Sequence, residues 1–331
     1  MPASPTALDR LVSPDGRPTL GLELPLDNDW GATRLRTDQA AGRPFGVPDL
    51  TEHARLARLA DSLGFAALWV RDVPLHDPEH FGDAGSVFET FTHLGHLAAV
   101  TERAVLGTAA VVLPLRQPLL VAKAATVDVL SGGRFVLGLA SGDRPVEYPL
   151  SSERTSTLVD GLSATTSGPA RRLGHARAWR GTRAALPRSR RRPTARRPAR
   201  AHRPDGPACH RRKRPADAEW VAENAEASLD HPRPLGALGL RTREWRALTI
   251  GSAPKPYLTP MQRDLPANPD TPAAAISLGL RTGRHALRDR LRRMGVLGVA
   301  HVSFTLRPGN RPVEDLLHEL AETVLPEFPS R

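Results

Sequence analysis

The sequence predicts an α/β fold in which strands alternate with helices around a parallel sheet or barrel. Two observations predict it. Short apolar runs alternate with amphipathic segments over residues 19–150 and again after residue 217, and the run 104–115 is almost continuously apolar. Strands with both faces buried are typical of parallel sheets covered by helices. The 331 residues, 40% of them hydrophobic, suffice for one large barrel with extensions or for two smaller domains.

The first two predicted strands flank an amphipathic helix. The apolar run TLGLELPL at 19–26 predicts one strand, and FAALWV at 65–70 predicts the next. Between them, Asp49 is expected to cap a helix and to form a capping box with Glu52. Apolar residues then recur at helical spacing, and Gly64 is expected to end the helix.

Two further strand and helix pairs follow in the same order. A helix is expected over 87–101, a buried strand over 104–115, and a second helix over 118–130 that stops at a Gly-Gly pair. The segment RFVLGLASG at 134–142 predicts the fourth strand. Repeated units of this kind indicate a parallel sheet or a barrel.

The segment 151–216 differs from the rest of the chain. It carries 17 Arg and one Lys against three acidic residues, whereas the other 265 residues carry 28 basic and 32 acidic ones. Its few large apolar residues follow no helical or strand period, and prolines recur every few residues. This composition predicts disorder. The sequence pI of about 11.1 therefore describes this segment and not the predicted fold.

The alternation returns at residue 217. AEWVAENAEASLD at 218–230 predicts a helix, and the stretch 254–265 predicts a strand despite its prolines. A helix, a glycine turn and a strand at 299–306 follow, and an amphipathic helix ends at Pro326. The predicted organisation is an N-terminal tail (1–18), two parts of one barrel (19–150 and 217–331), and the basic segment (151–216) between them.

The stretch 104–142 carries a family resemblance. It reads AVLGTAAVVLPLRQPLLVAKAATVDVLSGGRFVLGLASG and resembles the third and fourth β-α units of bacterial luciferase-like monooxygenases. The flanking GLELPLD and LGFAALWVRD segments also resemble the corresponding segments of this family. The resemblance implies a (β/α)₈ TIM barrel that binds FMN, or a deazaflavin coenzyme in some members, at the carboxyl ends of its strands. It also implies oxygenation of a small organic substrate by reduced flavin and dioxygen.

Six residues at predicted strand ends are candidate cofactor ligands on this resemblance. They are Arg71, Asp72, Ala109, Ala110, Ser141 and Gly142. The family often has a non-prolyl cis peptide under the flavin ring at the position of Ala109 and Ala110. Family histidines that follow the tryptophan are out of register here, because His76 lies four residues past Asp72. The catalytic residue is therefore left open.

The expected partners are reduced flavin and a small organic substrate, with a flavin reductase and a second copy of the chain as candidates. The single cysteine, Cys209, excludes an internal disulfide, and no metal motif is convincing. We expect no membrane span or signal peptide, and a cytoplasmic location.

Two alternatives concern the basic segment. It could bind nucleic acid through phosphate attraction, but Trp179 is its one aromatic residue, so stacking platforms are lacking. It could instead be an out-of-frame translation in a GC-rich gene, with frame loss near Leu150 and recovery near Asp217. The family's phosphate-binding loop after the fifth strand would then be lost. The frame hypothesis predicts weak or absent FMN binding, an unstable fold and an inactive product.

Overall fold

A computed structural model describes residues 5–27, 30–43, 47–73, 88–112, 120–140 and 218–330. The predicted basic segment, Ser141 and Gly142 lie outside these residues. The strands are β1 (Thr19–Leu24), β2 (Ala67–Val70), β3 (Val105–Thr108), β4 (Val111–Val112), β5 (Phe135–Val136), β6 (Leu139–Ala140), β7 (Ser228–Leu229), β8 (Tyr257–Asp264), β9 (Ala274–Ile276), β10 (Gly279–Arg281) and β11 (Val299–Thr305).

The main sheet is parallel and runs in the order β5, β3, β2, β1, β11 and β8, with β7 also pairing with β8. Strand β10 pairs in parallel with the end of β8 and forms an antiparallel hairpin with β9. Strand β4 follows β3 along the chain and β6 follows β5. The two strands pair with each other in parallel and form a separate two-stranded sheet. Within the described ranges, no pairing joins β7 to β5 or β6, so the barrel is not closed there.

Helices connect the strands in chain order. They are α1 (Ala32–Ala40), α2 (His53–Leu63), α3 (Thr90–Val100), α4 (Leu120–Leu130), α5 (Ala218–Asn224), α6 (Leu235–Leu248), α7 (Arg284–Leu297) and α8 (Val313–Thr323), with 3₁₀ turns at Asp9–Leu11 and Leu325–Glu327. The glycines after α2 and α7, Gly64 and Gly298, adopt left-handed φ values of 94° and 97°, which end each helix in the expected way. None of the helices in the described part of the chain is long and apolar enough to span a membrane.

The sequence predictions need correction at several elements. The capping box is wrong: Glu52 is the N-cap of α2, and the Asp49 carboxylate instead accepts hydrogen bonds from the Thr51 amide and hydroxyl. The helix expected over 218–230 ends at Asn224. Residues beyond it pair with β8, because strand pairing outweighs local helix propensity here.

Other differences concern elements that the sequence pattern did not indicate. The strand expected over 104–115 is divided into β3 and β4 at Ala109 and Ala110, whose peptide bond is cis. Helix α6 and the β9–β10 hairpin were not predicted. The strands expected near 254–265 and 299–306 and the closing helix are confirmed.

A buried chain of hydrogen bonds lies on the interior face of the sheet and reaches the amino-terminal end of β1. The Trp69 indole Nε1 donates to His301 Nε2 at 2.9 Å. His301 Nδ1 lies 2.8 Å from the Thr19 hydroxyl, which donates to the Leu11 carbonyl at 2.8 Å. Because the Thr19 proton is used by that carbonyl, Nδ1 is the protonated nitrogen of a neutral imidazole. The N-terminal residues thus pack across the amino-terminal end of the strands.

Two glycines leave the space that these rings occupy. A Cβ on Gly107 would lie 2.4 Å from the Trp69 ring, and one on Gly21 would lie 2.8 Å from His301 Nε2. The opposite side of each strand packs against the helices in the main hydrophobic core, which includes Leu22, Leu68 and Leu106. Alternate residues therefore face the interior and the helix layer.

Buried neutral histidines predict acid sensitivity. Burial lowers the pKa of His301 to about 3 and of His53 to about 4. Burial, and then the charge of His53, lowers the pKa of His93 to about 3. Each folded pKa lies below the unfolded value near 6.5, so the unfolded chain binds more protons in acid. Stability should be full above pH 6.5 and fall towards pH 4, by about 1 kcal/mol per histidine at pH 5.5.

Urea unfolding at a series of pH values measures this effect. The rings of His53 and His93 hydrogen-bond each other in the core, so the double variant His53→Gln/His93→Gln should remove their share of the pH dependence and leave the share of His301. Exposed His318 provides the matched control, and His318→Gln should leave the slope unchanged. An unfolding free energy that is constant between pH 7.5 and pH 5 would contradict the assignment.

Candidate active site

The carboxyl ends of β1, β2 and β3 meet at one edge of the sheet. The Ala109 amide donates to the Val70 carbonyl at 2.8 Å, and the Val111 amide donates to the Gly138 carbonyl at 2.9 Å. Four of the six sequence-predicted site residues lie here, namely Arg71, Asp72, Ala109 and Ala110. In TIM barrels this end of the strands carries the active site.

Asp72 is a buried carboxylate that connects three elements. Its Oδ1 accepts from the Thr90 hydroxyl of α3 at 2.7 Å, and its Oδ2 accepts from the Val112 amide of β4 at 3.1 Å. The side chain is only 4% exposed. With one oxygen bonded to α3 and the other to β4, the carboxylate is arranged to position the strand end that carries Ala109 and Ala110.

Ala109 and Ala110 form a small, half-buried surface between β3 and β4. Their peptide bond is cis, at the position where the family resemblance implies one. Ala109 packs against the interior cluster that contains Trp69 and Val105. Methyl side chains at this point leave a low apolar surface to which a flat ring system can approach closely.

Glu23 is a charged residue near the carboxyl end of β1 that the sequence analysis missed. Arg71 Nε is 3.4 Å from Glu23 Oε1, and both side chains are mostly buried. The Thr305 hydroxyl donates to the other Glu23 oxygen at 3.0 Å. Glu23 is the one charged residue within the apolar run TLGLELPL, and that exception was the available signal.

A second missed contact joins the loops that follow β1 and β11. The Arg307 guanidinium carbon lies 4.1 Å from the centroid of the Trp30 ring, and the Trp30 amide donates to the Arg307 carbonyl at 3.2 Å. Arg307 is 1% exposed. This cation–π contact lies just after the end of β11, two residues beyond Thr305. Only the three-dimensional pairing of β1 with β11 brings these residues together.

The arrangement combines an apolar surface with a cation and a carboxylate. The small surface suits an aromatic ring face, the guanidinium can stabilise negative charge, and the Glu23 carboxylate can accept a proton. Across the described ranges, no group of three or more His, Cys, Asp or Glu side chains is placed to hold a metal ion. The small apolar surface and the two charged side chains together suit an organic cofactor and its substrate.

Comparison with known proteins identifies relatives of the chain. A family model for luciferase-like monooxygenases matches residues 32–206, which is more than half of the 331 residues. The chain is 35% identical over 91 residues to 4-hydroxyprotoasukamycin monooxygenase of Streptomyces nodosus subsp. asukaensis, covering 27% of the chain and 23% of that protein. It is 33% identical over 118 residues to the oxygenase component of flavin-dependent trigonelline monooxygenase of Acinetobacter baylyi, covering 35% and 29%. The matches thus span only about a quarter of these relatives.

Solved structures share the fold. Monooxygenase RslO1 from Streptomyces bottropensis has a TM-score of 0.60 at 20% identity, over 94% of this chain and 99% of its own. An F420-dependent secondary alcohol dehydrogenase has a TM-score of 0.62 at 14% identity, over 94% and 99%. The FMN complex of the oxygenating constituent of 3,6-diketocamphane monooxygenase from Pseudomonas putida has 0.57 at 13% identity, over 95% and 100%. The predicted luciferase-like TIM-barrel fold is confirmed.

Removing one acceptor of Asp72 should loosen the site. In Asp72→Asn, the amide oxygen can still accept from Val112 and the NH₂ group can donate to the Thr90 hydroxyl, so two hydrogen bonds to a charged acceptor become weaker neutral ones. The unfolding free energy should fall by about 1–3 kcal/mol. Thr90→Val takes the hydroxyl donor away from the buried Oδ1 of Asp72 and should cost a similar amount. Urea denaturation measures both, and an unchanged stability of Asp72→Asn would show that this carboxylate does not connect the elements.

Proposed function

Because the chain belongs to the luciferase-like monooxygenase family, we propose that it is a flavin-dependent monooxygenase that acts on a small organic substrate at the carboxyl end of β1, β2 and β3. The observation that carries the proposal is that the Glu23–Arg71 pair lies at the carboxyl ends of β1 and β2, and that the Ala109 amide is hydrogen-bonded to the Val70 carbonyl at the end of β2. The flavin supplies redox chemistry with dioxygen when bound, and the chain supplies position, charge and proton transfer.

The described residues fit a flavin ring. The half-buried methyl groups of Ala109 and Ala110 offer an apolar surface without a bulky side chain. The Arg71 guanidinium beside them can stabilise negative charge on a reduced ring. Asp72 accepts from the Val112 amide and so would hold the backbone that follows Ala110 in place for a bound flavin. The sequence-predicted ligands Ser141 and Gly142 remain part of this proposal.

We assign the proton-handling role to Glu23. One of its oxygens accepts from Thr305, so the carboxylate is oriented, and the other is next to Arg71. A carboxylate held in this way at a strand end can accept a proton from a bound substrate. Thr305 and Arg71 act as positioning residues for Glu23.

FMN is the preferred cofactor, and a deazaflavin coenzyme is the alternative. The diketocamphane monooxygenase constituent was solved with FMN, whereas the alcohol dehydrogenase of the same fold uses F420. Both sequence relatives are monooxygenases, and the trigonelline enzyme is a flavin-dependent oxygenase component. A separate flavin reductase is accordingly the proposed protein partner, and a homodimer is the proposed assembly.

Enlarging the alanine surface should weaken flavin binding. Ala110→Val introduces a branched side chain where the ring is proposed to lie, and overpacking of about 1–3 kcal/mol corresponds to roughly a tenfold to hundredfold loss of affinity. Quenching of FMN fluorescence measures the dissociation constant. Ala122→Val makes the same change at an exposed position of α4 and should leave affinity unchanged.

The same titration separates the two hypotheses about the chain. Equal FMN affinity in Ala110→Val and the unaltered protein would place the flavin elsewhere. No FMN binding by the unaltered protein would contradict the proposal and is the result expected if 151–216 is out of frame.

Removing the charge of Glu23 should impair turnover more than flavin binding. Glu23→Gln keeps the shape and the hydrogen bond from Thr305 but loses the basic carboxylate, so substrate turnover should fall about 10²- to 10⁴-fold. FMN affinity should be retained. Thr305→Val keeps the carboxylate and should cost less. Turnover of Glu23→Gln at the unaltered rate, measured as oxygen consumption with a supplied flavin reductase, would exclude Glu23 from proton transfer.

A further inference from the structure

A buried arginine lies on the helix-facing side of β8, away from the proposed flavin surface. Arg263 is 1% exposed and shares the orientation of Tyr257 and Met261, which belong to the main core. Its guanidinium carbon lies 5.6 Å from the Phe304 ring centroid. Nη1 donates to the Leu280 carbonyl at 3.4 Å, while the buried Nε and Nη2 have no hydrogen-bond acceptor.

A second arginine contributes positive charge at Arg263. Arg290 on α7 is half-buried, its Nη2 donates to the Arg233 carbonyl at 3.1 Å, and its buried Nε also has no acceptor. Burial lowers the pKa of Arg263 to about 9, with a contribution from the charge of Arg290. Arg263 therefore stays protonated at neutral pH.

Other arginines of α7 are neutralised by carboxylates. Arg284 pairs with Glu319 at 3.1 Å, and Arg288 pairs with Glu327 at 2.9 Å. Across the described residues, by contrast, no carboxylate is paired with Arg263 or Arg290. An unpaired buried charge destabilises the folded protein, so the two positive charges favour the binding of an anion.

We propose that Arg263 and Arg290 bind a tetrahedral oxyanion of the phosphate or sulfate class between β8 and α7. The Nε and Nη2 groups of Arg263 and the Nε of Arg290 provide three donors on two separate guanidinium groups. A tetrahedral anion can accept from both groups at once, whereas a carboxylate is satisfied by the edge of one. Arg290 is half-buried, and exposed Arg293 adds a further positive charge on the same helix.

The probe is inorganic phosphate, added at constant ionic strength in place of chloride. The melting temperature of the unaltered protein should rise with phosphate and with sulfate, and acetate should have little effect. Arg263→Met should abolish the phosphate response. Without phosphate, Arg263→Met should melt above the unaltered protein, since an apolar side chain then replaces an unpaired buried charge. Arg243→Met removes the same charge from an exposed position of α6 and should keep the response.

A calorimetric titration of phosphate gives the second measurement. The dissociation constant should increase at least about tenfold in Arg290→Met. The titration of Arg290→Met tests the proposal if Arg263→Met does not fold. A phosphate response that is unchanged in either arginine variant would overturn the proposal. An acetate effect as large as that of phosphate would exclude the tetrahedral class.

Discussion

The hydrogen bond from the Trp69 indole to His301 holds β2 and β11 in a fixed relation across the barrel interior. It needs a neutral imidazole, which burial provides, and a hydroxyl at Thr19 to accept the other ring proton. It also needs glycine at two neighbouring strand positions, because a Cβ there would collide with the rings. The interior is thus packed at the amino-terminal end of the strands and is closed by the N-terminal residues.

The same alternation that points Trp69 and His301 inwards points the charged residues inwards. Glu23 is register-paired with Trp69, Thr305 ends β11, and Arg71 follows β2, on the side that faces the interior. The rigid packing around Trp69 and His301 therefore determines where Glu23, Arg71 and Thr305 meet. Asp72 makes the corresponding connection to α3 and β4, so the alanine surface is held by hydrogen bonds at its base. The packed interior thus positions the candidate site residues at the carboxyl ends of the strands.

Sequence patterns predicted the parallel strands, the helix ends at glycine and four of the residues that converge at the strand ends. Those features depend on local periodicity and on a motif of about 40 residues. The Glu23–Arg71 pair and the Trp30–Arg307 contact could not be predicted, because each depends on strand register. The capping box at Asp49 failed for a related reason, since tertiary partners such as Arg34 also use that carboxylate. Helix α6 was missed because its apolar residues follow a weak helical period.

The arginine pair of β8 and α7 and the strand-end site lie on opposite sides of the sheet, and neither depends on the other. The central claim is that flavin lies on the surface of Ala109 and Ala110, beside Arg71 and Glu23. A crystal structure grown with FMN tests it most directly. The account predicts the flavin ring in contact with both alanine methyl groups, with Arg71 next to the ring edge. A ring bound elsewhere, with this surface covered by protein side chains, would contradict it.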